Sequence, residues 1–89
     1  MYYVYIIEDK ISRSLYIGFT SDLKRRWSEH KNGRGGSTTS KMNDKRLIYY
    51  EAYTDKRDAV GREKFLKSGS GRKYINKQLK FHLATKNTS

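Results

Sequence analysis

Five side chains that can take part in chemistry are spread over the first 63 residues of the chain. Tyr5 and Tyr16 lie in two short runs rich in tyrosine and isoleucine, and they are followed by Arg26, His30 and Glu63. A planar guanidinium beside two tyrosines is suited to hold two oxygens of one phosphate. A tyrosine or a histidine can accept a proton, and a carboxylate can hold a hard cation. A site made of these residue types could act on a phosphate group.

The first four of these residues also have structural explanations. Tyr5 and Tyr16 could be packing residues with hydrated hydroxyl groups. Arg26 could pair with an acidic helical neighbour such as Glu29, an exposed interaction worth at most about 1 kcal/mol. His30 could be a cation near the C-terminus of its helix. The residue types alone leave these alternatives open.

Glu63 lies on the partly apolar side of a predicted helix. Its neighbours three and four positions away are Ala59, Val60, Leu66 and Lys67. Burial of an unpaired carboxylate is costly, so such a group normally meets a cation or hydrogen-bond donors. The cation could be Lys67 in an ion pair or a bound metal ion, and these residues alone do not decide between the two.

The spacing of two tyrosine triplets carries a family resemblance. Tyr3-Val4-Tyr5 and Tyr16-Ile17-Gly18, followed by Arg26 and Glu63, resemble the motifs of the GIY-YIG nuclease superfamily. The likeness is to its small stand-alone bacterial members with a single domain. The one departure is Tyr3, which occupies the glycine place of the first triplet, and subgroups of those small members also lack this glycine.

The resemblance implies a metal-dependent DNA endonuclease that hydrolyses a phosphodiester bond by in-line attack of water with one metal ion, in DNA repair or processing. Tyr5 would take the proton from the water, with its pKa lowered by nearby cations, and Tyr16 would orient the water or the phosphate. Arg26 would stabilise the phosphate charge, His30 would be a secondary member of the site, and Glu63 would hold Mg²⁺ or Mn²⁺. The alternative is a non-catalytic nucleic-acid-binding module on the same scaffold, for example one for structured RNA.

The charge balance indicates a polyanionic partner. The chain has 20 Lys and Arg residues against 9 Asp and Glu residues, a net charge of +11. A surface of this kind binds nucleic acid through its phosphates. The basic residues expected to contact DNA are Lys24, Arg25, Lys41, Lys67, Arg72 and Lys73. Because nearly the whole chain is taken up by the nuclease-like core, sequence specificity would be low or supplied by a partner protein.

Composition also limits the kind of metal site and the compartment. The chain has no cysteine, and two histidines alone could not complete a tetrahedral zinc site, so any metal must be held by oxygen ligands. The apolar start of the chain lacks a basic region and is cut short by Glu8-Asp9-Lys10. It therefore predicts neither a signal peptide nor a membrane span. We expect a cytoplasmic protein.

Apolar alternation predicts a three-stranded antiparallel sheet. The expected strands are residues 2–7, 14–19 and 47–53. The polar stretch from Glu8 to Arg13 is typical of a hairpin connection between the first two strands. Alternation puts Tyr5 and Tyr16 on one face, where they could meet across the sheet. Gly18 shares that face and would leave the sheet surface open to another backbone or a ligand.

Capping signals and glycines predict the remaining elements. The expected helices are residues 22–32, residues from Thr54-Asp55 to about Ser68, and residues 72–84. Residues 33–45 have three glycines and no periodicity, which indicates a flexible loop. His82 has no chemical context and is expected at the surface. The prediction is one α+β domain over residues 1–84, with the order ββαβαα, and a frayed tail at 85–89.

Overall fold

The computed structural model of the chain describes residues 1–84, which form three strands and five helices. The strands are β1 (Tyr2–Asp9), β2 (Leu15–Thr20) and β3 (Lys45–Tyr53). The helices are α1 (Leu23–Lys31), α2 (Ser37–Ser40), α3 (Lys56–Lys67), α4 (Gly69–Gln78) and α5 (Lys80–Ala84). None of the helices in the described part is long and apolar enough to cross a membrane. The predicted fraying of 85–89 concerns residues outside the described range.

The three strands form one antiparallel sheet in the order β2-β1-β3. Tyr5 on the central strand lies opposite Gly18 on β2 and opposite Tyr50 on β3. Because side chains alternate along a strand, Tyr5 and its neighbours at i±2 share one side of the sheet, named the site face below. Val4 and Ile6 lie on the other side, named the core face. The α+β class and the three-stranded antiparallel sheet are confirmed.

The hydrophobic core lies between the core face and helices α3 and α4. Its buried members are Val4, Ile6, Ile17, Ala59, Leu66 and Ile75. Gly71 is also buried, and a Cβ atom at this position would lie 1.9 Å from the carbonyl oxygen of Phe65. Glycine therefore lets α4 pack directly against the end of α3.

The expectation of one helix over 72–84 is wrong in its bounds. α4 begins at Gly69, because the Ser68 hydroxyl accepts a hydrogen bond from the Gly71 N–H at 3.1 Å and caps the helix. The glycines that predicted an interruption are thus in the first turn of α4. The chain breaks at Leu79, and α5 is a separate short helix.

The predicted loop at 33–45 contains the helical turn α2 and is held in place at its end. The carboxylate of Asp9 accepts hydrogen bonds from the backbone N–H groups of Ile11, Asn43 and Asp44, at 3.0, 3.2 and 3.4 Å. The bond from Ile11 is the main reason why the pKa of Asp9 lies below its usual value. The buried carboxylate of Asp9 in β1 therefore holds the residues that lead into β3. This strand begins two residues earlier than predicted.

Glu8 and Asp9 belong to β1 and are not part of the hairpin turn, which corrects the predicted connection. Glu8 is 0% exposed on the core face. Its carboxylate lies 3.0 Å from Arg13 Nε, 3.4 Å from a terminal nitrogen of Arg46 and 2.9 Å from His82 Nε2. His82 is only partly exposed, so the prediction of a surface residue without context is wrong. The cluster joins α5 to the sheet.

Candidate active site

Tyr5 lies at the centre of the candidate site and is 1% exposed. Its ring crosses over Gly18, where a Cβ atom would come within 2.4 Å of the Tyr5 hydroxyl oxygen. Gly18 therefore makes room for the ring of Tyr5. The expectation that this glycine opens the sheet to a ligand or to another backbone is not met.

His30 is fully buried and links α1 to the sheet and to α2. Its Nε2 atom lies 2.9 Å from the Tyr5 hydroxyl oxygen, and its Nδ1 atom lies 2.8 Å from the Thr39 hydroxyl oxygen. A Cβ atom at residue 35 would lie 2.0 Å from Nδ1, so only glycine fits there. The side chain points inward, which excludes the alternative of an exposed cation at the helix end.

Thr39 and Gly35 are site residues that the sequence interpretation missed. Both lie in the segment predicted as a flexible loop, and no periodic pattern marks them. Thr39 is 1% exposed and orients the imidazole of His30. The contact spans nine residues, so only the folded chain shows it.

Arg26 is partly buried and has two hydrogen-bond partners. One terminal nitrogen donates to Glu29 Oε1 at 3.0 Å, and the other donates to the carbonyl oxygen of Gly35 at 3.0 Å. The guanidinium also lies close enough to the Tyr5 hydroxyl to act on it, and it lowers the pKa of that group. The surface pair with Glu29 is therefore present, but it is one part of a contact that reaches the centre of the site.

The protonation states of Tyr5 and His30 follow from their burial. Burial raises the pKa of Tyr5 to about 12, and the nearby Arg26 guanidinium offsets this only in part. The expectation that nearby cations lower the pKa of Tyr5 is wrong in its net direction. Burial also lowers the pKa of His30, and the charges of Arg26 and Lys45 lower it further. At neutral pH Tyr5 holds its proton and His30 is uncharged.

One proton arrangement satisfies both hydrogen bonds of His30 and leaves its Nε2 free to accept the Tyr5 proton. In it, the Tyr5 O–H donates to Nε2 of His30, while the nearby Arg26 charge acts on the same oxygen. Nδ1 of His30 then carries the other proton and donates to the Thr39 hydroxyl oxygen. This network gives the Tyr5 proton a ready acceptor.

We expect the free energy of unfolding to fall as the pH falls below about 6.5. His30 takes up a proton less readily in the folded chain than in the unfolded chain, so acid favours the unfolded state. Denaturant unfolding at pH 7.5 and 5.5, for the parent and His30→Gln, would show a smaller difference in the variant. An NMR titration in which His30 protonates above its usual value would contradict this assignment.

Tyr16 and Glu63 complete the site from two further elements. The Tyr16 ring lies 6.3 Å from that of Tyr5 and 5.4 Å from the imidazole of His30, measured between centroids. Glu63 on α3 is 21% exposed and its Oε2 atom lies 3.0 Å from Lys67 Nζ, so the predicted ion pair is formed. The Glu63 charge still acts on Tyr5, whose pKa it raises. The structure thus groups Tyr5, Tyr16, Arg26 and His30 around one centre, and Glu63 is linked to it through the effect of its charge on Tyr5.

The site offers one carboxylate as a metal ligand, which suits a divalent cation that the protein alone binds weakly. Within residues 1–84, no three His, Cys, Asp or Glu side chains converge as ligands. Mg²⁺ is nevertheless often held by one carboxylate, with waters and substrate phosphate in the other positions. Lys67 is about half exposed and its ion pair with Glu63 is correspondingly weak. Glu63 can therefore exchange this cation for a metal ion when a phosphate is present.

The basic residues predicted to contact DNA are all exposed. They are Lys24, Arg25, Lys41, Lys67, Arg72 and Lys73. Lys24 and Arg25 precede Arg26 on α1, and Lys67 is one helical turn after Glu63. The parts of α1 and α3 that carry site residues thus also carry exposed positive charge that phosphates can reach.

The fold and these site residues define a class of protein. A family model described as the GIY-YIG catalytic domain matches residues 1–86, and the chain belongs to this family. The resemblance seen in the two tyrosine triplets is confirmed. A nuclease-type activity is what this family implies.

The particular relatives of the chain are UPF0213 proteins, which are small stand-alone members of this family. A UPF0213 protein of Clostridium perfringens is 40% identical over 67 residues, which are 75% of this chain and 71% of the relative. One of Staphylococcus saprophyticus is 35% identical over 74 residues, 83% of this chain and 89% of the relative. The solution NMR structure of a UPF0213 protein of Bacillus halodurans is 31% identical, with a TM-score of 0.55, and the match covers 100% of this chain and 99% of that one.

Proposed function

We propose that this protein is a metal-dependent DNA endonuclease that hydrolyses a phosphodiester bond by in-line attack of water. The observation that carries the proposal is the arrangement around one hydroxyl group. Tyr5 contacts a neutral His30 on one side and the Arg26 guanidinium on the other, with the Glu63 charge acting on the same group. A proton acceptor, a phosphate ligand and a cation ligand are therefore combined at one point of a GIY-YIG chain.

Proton transfer runs through Tyr5 to His30. A tyrosine with a pKa of about 12 keeps its proton at neutral pH. It can therefore accept a proton from water only if it gives up its own proton to another group. His30 Nε2, at 2.9 Å, takes the Tyr5 proton while the Tyr5 oxygen takes one from the attacking water. Thr39 keeps the imidazole in the required tautomer, because its hydroxyl oxygen accepts from Nδ1.

Arg26 must exchange partners when DNA binds. Its two terminal nitrogens are held by Glu29 and by the carbonyl oxygen of Gly35. A phosphate offers the same two acceptors with a full negative charge, which gives stronger hydrogen bonds. Tyr16, which is partly exposed beside Tyr5, orients the water or the phosphate.

Glu63 is the proposed ligand for Mg²⁺ or Mn²⁺. When bound, the cation supplies charge stabilisation for the leaving oxygen. Because only one protein carboxylate is involved, tight metal binding requires DNA. A DNA substrate agrees with the net charge of +11. We propose that the protein acts in the cytoplasm, in DNA repair or processing. A partner protein would supply specificity for particular DNA structures.

The burial of Tyr5 favours a second candidate function. A tyrosine that is 1% exposed, with its neighbouring guanidinium engaged by the protein, suits a scaffold that binds nucleic acid without cutting it. In that case the protein is a binding module, for example for structured RNA. Incubation of the parent with supercoiled plasmid and branched DNA, in Mg²⁺, Mn²⁺ or EDTA, separates the two functions. Cleavage that EDTA stops supports the nuclease.

We expect Arg26→Ala to lower the cleavage rate at saturating DNA by about 10²- to 10³-fold, because one donor to the developing phosphate charge is lost. Arg57→Ala is the matched control, since Arg57 also pairs with an acidic neighbour, Asp55 at 2.8 Å, but lies on exposed α3 surface. This control should cleave at the parent rate.

A lysine at position 26 should restore little activity, because a point charge cannot hold two phosphate oxygens in parallel. The free energy of unfolding of Arg26→Ala should stay within about 2 kcal/mol of the parent, since the lost contacts are partly exposed. A larger loss of stability, with cleavage reduced only in proportion to folded protein, would show that Arg26 is a structural residue.

A further inference from the structure

A groove of about 410 Å³ lies between α1 and β3, next to the candidate active site. Its walls include three aromatic side chains, Tyr3, Trp27 and Tyr50, together with Lys24 and Asp22. None of these aromatic residues has a part in the proposed mechanism. An open groove with several aromatic walls on a small domain indicates a binding site.

The aromatic residues form an exposed surface on which a flat ring could stack. The rings of Tyr3 and Tyr50 meet edge to face, with centroids 6.3 Å apart and planes at 63°. Tyr50 is 57% exposed, although the rest of its strand is mostly half-buried. Tyr3, which stands in the glycine place of the first motif, supplies a wall that glycine would not provide.

Positive charge surrounds these rings. Lys24 lines the groove, and Lys31 Nζ lies 5.9 Å from the centroid of the Trp27 ring. Asp22 is the acidic residue of the wall, but its carboxylate caps α1 by accepting the Arg25 N–H at 3.1 Å and lies 3.8 Å from Arg25 Nε. The groove therefore favours an anionic ligand that also presents a flat ring.

The groove and the active site share the same side of the sheet. Tyr50 lies directly opposite Tyr5 in the β1–β3 register. Tyr3 is two residues before Tyr5 on the same face, a distance of about 7 Å along the strand. On α1, Trp27 follows Arg26 directly. A nucleic-acid strand with its phosphate at Arg26 would thus pass close to the aromatic walls.

We propose that this groove binds an unpaired nucleobase of the DNA strand that is cut, so that the substrate is single-stranded or locally unpaired DNA. The part of this proposal that concerns the cut strand rests on the proposed nuclease function. An unpaired base exposes both faces for stacking, and its phosphates meet Lys24 and Lys31. A base inside a duplex is stacked on its neighbours and cannot enter the groove.

Trp27 gives a direct test, because it is the only tryptophan of the chain. A thymidine oligonucleotide should quench its fluorescence, as a base that stacks in the groove changes the surroundings of the indole. The matched ligand is an oligonucleotide of the same length with abasic sites, which has the same phosphates and no bases. It should bind on the order of 10-fold more weakly or worse, in line with the loss of base stacking. Equal quenching and affinity for both ligands would overturn the proposal and indicate simple phosphate binding.

Tyr50→Ala tests whether the aromatic walls of the groove contribute to binding. Since Tyr50 is exposed, its loss should leave the fold intact and weaken binding of the thymidine oligonucleotide on the order of 10-fold, with duplex binding unchanged. Phe81→Ala is the matched control, because Phe81 is 82% exposed on α5, outside the groove. It should bind like the parent.

The outcomes separate this proposal from the proposed function. If the parent cuts DNA but Tyr50→Ala binds single strands as the parent does, the groove proposal is overturned and the nuclease remains. If the thymidine oligonucleotide quenches Trp27 and Tyr50→Ala binds it weakly, but no DNA is cut, the groove binds a base and the nuclease proposal fails.

Discussion

Tyr5→Phe is expected to lower the rate of DNA cleavage at saturating substrate by about 10²- to 10⁴-fold, the range for loss of a general base. The phenylalanine ring still fills the space above Gly18, so the packing of the sheet remains. What is lost is the oxygen that relays a proton from water to Nε2 of His30. Single-turnover cleavage of the preferred DNA measures this rate without the contribution of product release.

The same substitution should lower the free energy of unfolding by about 1 to 3 kcal/mol, because His30 and Arg26 lose a buried partner. Tyr53→Phe is the matched control. It also deletes a hydrogen-bonded tyrosine hydroxyl, 2.6 Å from Glu51 Oε1, but on the core face of the sheet. This control should lose similar stability and keep the parent cleavage rate.

The two effects distinguish catalysis from packing. If Tyr5→Phe cuts DNA as fast as the parent, Tyr5 is a packing residue, and His30 becomes the first candidate for the base. Loss of cleavage in both Tyr5→Phe and Tyr53→Phe would mean that stability, and not the Tyr5 hydroxyl, limits activity.

Glu63→Gln should eliminate the stimulation of cleavage by Mg²⁺ or Mn²⁺. The amide keeps the size of the side chain but removes the anionic ligand on which the cation depends. The ion pair with Lys67 is also lost, which costs at most about 1 kcal/mol for a pair this exposed. Cleavage rates across a metal titration, at fixed DNA, would show a flat profile for the variant and saturation for the parent.

Asp58→Asn is the control for Glu63→Gln, because it removes an exposed carboxylate from the first turn of the same helix. Its metal titration should match that of the parent. Glu63→Gln with an unchanged metal response would show that Glu63 serves only its pair with Lys67, and the metal ligand would have to be sought elsewhere. A parent that cuts nothing in any metal would leave the binding module as the function.

The sequence by itself determined the elements whose causes are local. Alternation of tyrosine, isoleucine and valine predicts β1 and β2, and the side chains of Asp22 and Asp55 cap α1 and α3 as the capping signals predict. The same alternation puts Tyr5 and Tyr16 on one face. These features depend on residues within one or two turns of chain, and for that reason a pattern is enough to find them.

Where the local sequence pattern was ambiguous, the tertiary structure determined which element a residue belongs to. Glu8 looks like a turn residue, yet it is buried in β1 because Arg13, Arg46 and His82 converge on its carboxylate. His82 is 74 positions away in the chain. Gly71 looks like a helix end, yet it lies inside α4 because only glycine lets that helix approach Phe65. Contacts between distant parts of the chain override local preference in both cases.

The candidate active site shows the same division between local and long-range causes. The types and spacing of Tyr5, Tyr16, Arg26 and Glu63 are present in the sequence, and they suffice to indicate phosphate chemistry and the family. The direction of the Tyr5 pKa shift was decided by folding, because desolvation depends on what covers the hydroxyl group, and this cover comes from α1 and from Gly18. The contact of His30 with Thr39 was decided in the same way, since it joins side chains of α1 and α2. Sequence fixes which groups are available, while burial and long-range packing set their charge and their partners.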